Sequence, residues 1–212
     1  AKGDFHWACI LIFIGAVFDL MDGRIARLTG TSSVFGEQFD SLSDLITFGI
    51  APSFIFYYFD LRDFGRLGVA VCFLYLLCGA LRLARFNANI DHGPDNYFQG
   101  LPIPGAAAAV MSAILVNLNQ GFTVDNRVAF SYILLFAILM ITNIPFPSFK
   151  KSDWIKNNRK IVLLIIFLLV TFLFVFREFF LLTFILFYVV ASLVYFVMNR
   201  KKFKGIFDMG EE

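Results

Sequence analysis

The chain has 212 residues, of which 59% are hydrophobic and 29 are phenylalanine. A soluble domain of this size cannot bury so much apolar surface, so the composition excludes a soluble globular protein and indicates a polytopic membrane protein. The formal net charge is only +2, and apart from a basic C-terminal tail no feature supports binding to nucleic acid.

Apolar runs long enough to cross a bilayer, roughly 17–25 residues each, follow one another along the whole chain. The polar connections between them are short, so neighbouring helices are predicted to run antiparallel in one all-α transmembrane bundle. This bundle occupies residues 1–212 as a single integral membrane domain. In chain order we predict about seven spans, at residues 5–25, 39–59, 68–86, 103–118, 128–144, 161–176 and 179–198.

Four aspartates lie inside the first two predicted spans, Asp19 and Asp22 in one and Asp40 and Asp44 in the other. A carboxylate near hydrocarbon costs on the order of 3 kcal/mol even on lenient insertion scales, so these side chains need a partner. Spacings of three and four residues put each pair on one stripe of its helix. The connection at residues 28–35 is short, so the four carboxylates are predicted to converge at one end of the bundle.

Clustered oxygen ligands with no Cys or His nearby are typical of Mg²⁺, Mn²⁺ or Ca²⁺ sites rather than of zinc sites. Four carboxylates exceed what one Mg²⁺ usually takes, so a pair of ions is expected. Two ions roughly 3.5–4 Å apart would clamp the attacking and leaving oxygens of an in-line phosphoryl displacement.

Small residues accompany the aspartates. Gly23, Ala26 and Gly36 lack side-chain bulk on the same stripes, which allows either close helix packing or entry of a flat ligand. Arg27 lies one turn after the first pair and could meet a diphosphate, or could simply anchor the helix at the membrane surface. Ser33 adds a hydroxyl donor in the connection.

Basic residues predict the orientation. Thirteen of the 18 lysines and arginines fall on one side of the predicted topology: Arg24, Arg27, Arg82, Arg85, the group at 150–160 and the tail at 200–204. By the positive-inside rule that side is cytoplasmic, and it includes the connection between the aspartate pairs. An odd number of spans then puts the N-terminus outside without a signal peptide, so we expect a further helix upstream.

The aspartate region is similar, at every defined position, to the signature of the CDP-alcohol phosphotransferases. Eight positions within 26 residues carry the resemblance: Asp19, Asp22, Gly23, Ala26, Arg27, Gly36, Asp40 and Asp44. Segments 39–53, 81–87 and 100–107 further resemble the bacterial and archaeal type II phosphatidylserine synthases of that family. On this likeness, residues 5–108 form the catalytic core, and residues 109–212 add transmembrane helices and a basic tail.

The resemblance implies a membrane enzyme of prokaryotic cells with its active site facing the cytoplasm. It implies CDP-diacylglycerol and L-serine as substrates, CMP as a product, two Mg²⁺ or Mn²⁺ ions as cofactors, and a homodimer. Carried over by position, the four aspartates would bind the metal and Asp44 would also be the general base. The CDP moiety would be bound or accommodated by Gly23, Ala26, Arg27, Ser33 and Gly36.

The acceptor site is expected near the end of the third predicted span. Arg82 and Arg85 lie three residues apart there, with Asn87 just beyond. A guanidinium can hold a carboxylate through two parallel hydrogen bonds, which would suit the carboxylate of serine. The alternative is that both arginines only extend toward the membrane surface.

Two other functions remain open at this stage. A related transferase could use glycerol phosphate, an inositol phosphate or another acceptor in place of serine. A cation or proton transporter could use the aspartates as an ion path, although the spans after residue 161 then offer almost no further polar residues. A catalytically silent scaffold would usually have lost at least one of the aspartates.

Overall fold

The structure is a computed structural model that describes residues 4–30, 33–88, 97–121, 124–147 and 159–199. Within these ranges only the backbone is described for residues 20, 24, 26–28 and 159–178. The described chain is almost entirely helical, in agreement with the predicted all-α membrane protein.

The first two predicted spans are helical and carry the aspartates. Helix α1 covers Phe5–Thr29 and helix α2 covers Val34–Asp44. Ser33 caps the N-terminus of α2, because its hydroxyl oxygen accepts a hydrogen bond from the backbone N–H of Gly36 at 3.1 Å. This is a favoured N-cap arrangement, and it fixes the point where the chain turns from α1 into α2.

The second span continues beyond α2 with a changed helical pitch. A π-helical segment, Leu45–Ile50, follows Asp44 directly, and helix α3, Ala51–Phe56, leads into a second π-helical segment, Tyr57–Leu61. The helical rod therefore extends past both ends of the prediction at 39–59. A short 3₁₀ turn, Arg62–Phe64, closes it.

Helix α4, Gly65–Ala88, starts at a sharp reversal. Gly65 has a φ of 56°, a left-handed conformation that residues with a side chain rarely adopt. Because α4 runs back along the second span, Tyr75 and Arg82 come to lie beside the π-helical segment and the end of α2.

Helices α5, Ile103–Gln120, and α6, Asn126–Ile141, complete the centre of the bundle. Pro102 is the N-cap of α5 and Pro104 lies in its first turn, which confirms the predicted helix start. Small side chains of α5 are completely buried and let its neighbours approach closely: Ala106, Ala107 and Ala109. The core is drawn mainly from α4, α5 and α6, and it also includes residues of α1 and of the second span.

Two short strands were not predicted. Strand β1, Tyr97–Gln99, pairs antiparallel with strand β2, Pro145–Pro147, so that Phe98 lies opposite Phe146. Gly100, with a φ of 76°, donates its backbone N–H to the carbonyl of Ile144 at 2.9 Å. This pairing ties the segment before α5 to the segment after α6, at the end of the bundle where α4 finishes.

The prediction of two separate C-terminal spans, at 161–176 and 179–198, differs from the structure. One continuous helix, α7, covers Arg159–Met198. The polar pair Arg177 and Glu178 suggested a break, but the surrounding sequence has no Gly or Pro to end a helix. If α7 crosses the membrane once, the basic groups at 150–160 and 200–204 are separated by the membrane. Only the arginines of α1 and α4 then support the predicted orientation.

Several helices in the described ranges are long and apolar enough to cross a membrane. These are Phe5–Gly23, Ile103–Gln120, Phe179–Met198 and the stretch Val34–Ala88, which contains the second span and α4. Helix α6 is apolar but shorter, with 16 residues.

Candidate functional site

Three aspartates from two helices converge at one end of the bundle. Asp19 and Asp22 come from α1 and Asp40 from α2, and one carboxylate oxygen of each lies within 4.8 Å of the others. Asp19 is half-buried, whereas Asp22 and Asp40 are exposed. The structure therefore brings three of the four predicted carboxylates together.

Asp44 joins this cluster from the last residue of α2. Its carboxyl group is within hydrogen-bonding reach of Asp19 and interacts with the charges of Asp40 and Arg82. Its Oδ1 atom is buried and has no hydrogen-bond partner among the described residues. A buried carboxylate oxygen without a partner is costly, so it marks a place where a ligand would be stabilised.

The donor set fits a hard divalent cation. All four candidate ligands are carboxylates, and neither Cys nor His lies in the described cluster. Like charges held this close repel one another unless a cation lies between them. The four aspartates together could hold Mg²⁺, Mn²⁺ or Ca²⁺, with Asp44 joined to the cluster through its contact with Asp19.

The residues expected to accommodate the CDP moiety lie around this cluster. A Cβ atom added to Gly23 would meet no atom within 4 Å, so among the described residues its small size is not required for helix packing. The space next to it is open to a ligand. A Cβ at Gly36 would lie 3.3 Å from the Ser33 hydroxyl oxygen. The side chains of Ala26 and Arg27 lie outside the described part of the structure.

Arg82 is the candidate acceptor residue that lies at the site. Its side chain is only 6% exposed, and its Nε atom is buried without a hydrogen-bond partner in the described structure. The guanidinium carbon lies 5.4 Å from the ring centre of Phe86 and 5.9 Å from that of Phe98. Two aromatic faces and Asp44 therefore surround this charge, a setting in which a cation is held without water.

The other two candidate acceptor residues have structural partners. Arg85 donates hydrogen bonds to the carbonyl oxygen of Ile141 at 3.0 Å and to Oδ1 of Asn143 at 3.2 Å. Asn87 donates to the hydroxyl of Ser41 at 2.9 Å, which links α4 to α2. The sequence put the two arginines on similar faces, but in the structure their guanidinium groups have different neighbours.

Two residues at the site were missed by the sequence reasoning. Phe98 arrives on β1, and Tyr188 of α7 interacts electrostatically with Arg82. Tyr188 also donates a hydrogen bond to the carbonyl of Pro147 at 3.2 Å, so α7 is fastened to β2 beside the arginine. No local sequence pattern marks either residue, because both reach the site through long-range pairing.

Comparison with known proteins agrees with the family resemblance. Residues 1–147 match the family model described as CDP-alcohol phosphatidyltransferase. A CDP-diacylglycerol–serine O-phosphatidyltransferase of Helicobacter pylori is 43% identical over 170 residues, which cover 79% of this chain and 71% of that protein. An archaetidylserine synthase of Methanothermobacter thermautotrophicus is 41% identical, covering 68% of this chain and 60% of that protein.

A CDP-diacylglycerol–serine O-phosphatidyltransferase of Bacillus subtilis is 35% identical over 146 residues, which cover 69% of this chain and 77% of that protein. The residues that match the family model include the aspartate region and its two helices. The chain therefore belongs to the CDP-alcohol phosphatidyltransferase family and is a transferase of the membrane.

Proposed function

We propose that this protein is a phosphatidylserine synthase, which transfers the phosphatidyl group of CDP-diacylglycerol to the hydroxyl of L-serine and releases CMP. The observation that carries the proposal is the convergence of Asp19, Asp22 and Asp40 within 4.8 Å beside the buried oxygen of Asp44. The names of the H. pylori and B. subtilis relatives support serine as the acceptor.

The reaction exchanges one phosphorus–oxygen bond for another. The serine hydroxyl oxygen bonds to the phosphorus that carries diacylglycerol, and the bond from that phosphorus to the bridging oxygen of the diphosphate breaks. CMP leaves with the electron pair of the broken bond. The serine proton goes to Asp44, because a hydroxyl is too weak an acid to ionise without a positioned base.

Asp19, Asp22, Asp40 and Asp44 would hold a pair of Mg²⁺ or Mn²⁺ ions. Bound there, the cations would neutralise the diphosphate charge and polarise the reacting oxygens. One oxygen of Asp44, Oδ1, is buried, so water does not compete for that atom. Asp22 also accepts a hydrogen bond from the backbone N–H of Gly23 at 2.6 Å, which fixes one of its oxygens.

The nucleotide would lie against the ends of α1 and α2. The open space at Gly23 gives room for it, and Ala26 and Gly36 are proposed to do the same. Arg27 is proposed to bind the diphosphate. Because the Ser33 oxygen accepts its capping hydrogen bond, the hydroxyl proton can be donated to the ligand.

We narrow the acceptor proposal to Arg82. Its guanidinium is buried near Asp44, so a serine carboxylate bound to it would bring the serine hydroxyl toward the proposed base. Arg85 and Asn87 would support this position by fastening the end of α4 to α6 and α2. In this proposal the catalytic core is residues 5–108, the site faces the cytoplasm, and the enzyme is a homodimer.

A CMP-release assay tests the proposal. The purified protein in vesicles that contain CDP-diacylglycerol is supplied with Mg²⁺ or Mn²⁺ and with serine, glycerol 3-phosphate or inositol phosphate in parallel. Of the three acceptors, only serine should give CMP and a phospholipid product, phosphatidylserine. A metal chelator should abolish the formation of both products. Product with another acceptor would contradict the choice of serine, and a metal-driven ion flux without CMP would favour the transporter.

A further inference from the structure

The backbone carbonyl of Phe48 receives a side-chain hydrogen bond from another helix. The hydroxyl of Tyr75, on α4, donates to this oxygen at 3.2 Å, and the Tyr75 side chain is completely buried. Phe48 lies in the π-helical segment that follows Asp44 and is itself 1% exposed. The bond therefore joins α4 to the aspartate-bearing span about one turn below Asp44.

The residue at position 52 removes the α-helical donor of the Phe48 carbonyl. The α-helical pattern resumes at Ala51, so the N–H four residues after Phe48 would bond to this carbonyl, but Pro52 has no N–H. A carbonyl left without a donor inside an apolar core costs free energy comparable to a lost hydrogen bond. The next carbonyl, that of Gly49, also receives a side-chain donor, the hydroxyl of Ser53 at 2.7 Å.

The same place is where the helical pitch changes. The backbone N–H of Ala51 bonds to the carbonyl of Ile46, five residues back, and an α-helical segment begins at Ala51. A widened turn shifts the angular position of every residue before it relative to those after it. The orientation of Asp44 relative to the rest of the bundle therefore depends on how this segment is held.

Two residues on one face of α4 interact with the aspartate-bearing span, at different points along it. Tyr75 and Arg82 are seven residues apart, which is two helical turns, so they project from the same side of α4. Tyr75 bonds to the carbonyl of Phe48, and Arg82 interacts with the carboxylate of Asp44. The contact between Tyr75 and Phe48 is a hydrogen bond whose donor and acceptor residues are both buried. Arg82 and Asp44 interact through their charges.

We infer that Tyr75 is a positioning residue: its hydroxyl replaces the peptide donor missing at Pro52 and so fixes the π-helical segment that aims Asp44 at the aspartate cluster. This inference rests on the proposed roles of Asp44 as a metal ligand and base. Tyr75, Pro52 and Phe48 have no proposed contact with the reacting groups and would act through the position of Asp44.

The test uses Tyr75→Phe, which removes only the hydroxyl, and Tyr132→Phe as the matched control. Tyr132 also donates to a backbone carbonyl, that of Ala109 at 3.0 Å, but this carbonyl belongs to α5 rather than to the aspartate-bearing span. Mn²⁺ affinity is measured by titration followed by electron paramagnetic resonance, and kcat and KM by CMP release with serine. The Tm in detergent is recorded for each protein.

Tyr75→Phe should weaken Mn²⁺ binding and lower kcat by about three- to tenfold each, the range for one net hydrogen bond, with the KM for CDP-diacylglycerol unchanged. Tyr132→Phe should lower the Tm about as much as Tyr75→Phe does, because each variant loses one hydrogen bond. It should leave Mn²⁺ affinity and kcat unchanged. The double variant Tyr75→Phe/Pro52→Ala should recover much of both losses, because alanine supplies an N–H at position 52.

Equal Mn²⁺ affinity and kcat in Tyr75→Phe and wild type would overturn the inference, as would equal losses in Tyr132→Phe. A double variant no better than Tyr75→Phe would contradict the role of Pro52. If the wild type binds Mn²⁺ but forms no product with serine, the proposed function fails, and the Mn²⁺ titration still decides the role of Tyr75.

Discussion

Asp44 differs from the other three aspartates in its surroundings. Asp22 and Asp40 are exposed, as metal ligands at the mouth of a site can be, whereas Asp44 has one oxygen buried without a hydrogen-bond partner among the described residues. It also interacts with the charge of Arg82. A carboxylate sheltered from water and next to the proposed acceptor residue is the best placed of the four to take a proton from the acceptor.

Asp44→Asn should therefore abolish turnover while CDP-lipid binding is largely kept. The amide is nearly the same size but cannot accept the serine proton, and a positioned base typically contributes about 10²–10⁴-fold to a rate. CMP release and binding of a labelled CDP-lipid measure the two effects. Asp63→Asn is the control, since Asp63 is exposed in the 3₁₀ turn after the second span. Normal turnover in Asp44→Asn would remove the assignment of the base.

Arg82 allows a second test at the scale of one side chain. Arg82→Lys keeps the positive charge beside Asp44 but loses the paired donors that suit a carboxylate, so the KM for serine should rise by about tenfold or more while kcat falls less. Arg85→Lys is the matched control, because the Arg85 guanidinium bonds to the carbonyl of Ile141. A larger serine KM in the Arg85 variant would reverse the roles given to the two arginines.

At the scale of elements, the local sequence predicted helices well and their ends less well. The long apolar runs predicted the starts of α1 and α5, at residues 5 and 103, because hydrophobic patterning is a local signal. The continuous α7 was missed, since two charged residues resemble a connection although they do not break a helix. The β1 and β2 strands were missed because they are short and stabilised only by pairing with each other.

Helix α1 supports a test that separates stability from binding. Gly23→Ala should keep or raise the Tm, because alanine favours a helix interior over glycine by about 1 kcal/mol and its Cβ would meet no atom within 4 Å. The same methyl group would occupy the space proposed for the nucleotide, so the KM for CDP-diacylglycerol should rise. Thermal denaturation and CMP release are measured together.

Gly68→Ala is the contrasting variant within α4. A Cβ there would clash with the backbone carbonyl oxygen of Leu61, which cannot move aside easily, so this substitution should lower the Tm through crowding. If Gly23→Ala lost stability as Gly68→Ala does, Gly23 would serve packing rather than the ligand.

In the whole molecule, polar contacts between helices mark two ends of the bundle. At one end lie the aspartate cluster, the bond from Asn87 to Ser41 and the paired strands. At the other end, Asn117 of α5 donates to Asp60 at 3.5 Å, near the turn into α4. The convergence of the aspartates could be predicted from the sequence, because two helices that are neighbours in the chain carry them. The approach of Tyr188 to Arg82 could not, since the two residues lie about a hundred positions apart in the chain. Phe98 is close to Arg82 in the chain, but its position depends on the pairing of β1 with β2.

The cytoplasmic orientation of the site can be tested with single cysteines at these two ends. Val34, at the start of α2, is 77% exposed at the aspartate end, and Val124, before α6, is 38% exposed at the opposite end. The three native cysteines, Cys9, Cys72 and Cys78, are buried, so they should give little background with a membrane-impermeant thiol reagent.

In intact cells this reagent should label Val124→Cys, and it should label Val34→Cys only after the membrane is permeabilised. Because the positive-inside rule now rests on the arginines of α1 and α4, labelling of Val34→Cys in intact cells would show that they do not set the topology. That result would also put the site on the side where cytoplasmic CDP-lipid head groups and serine cannot reach it.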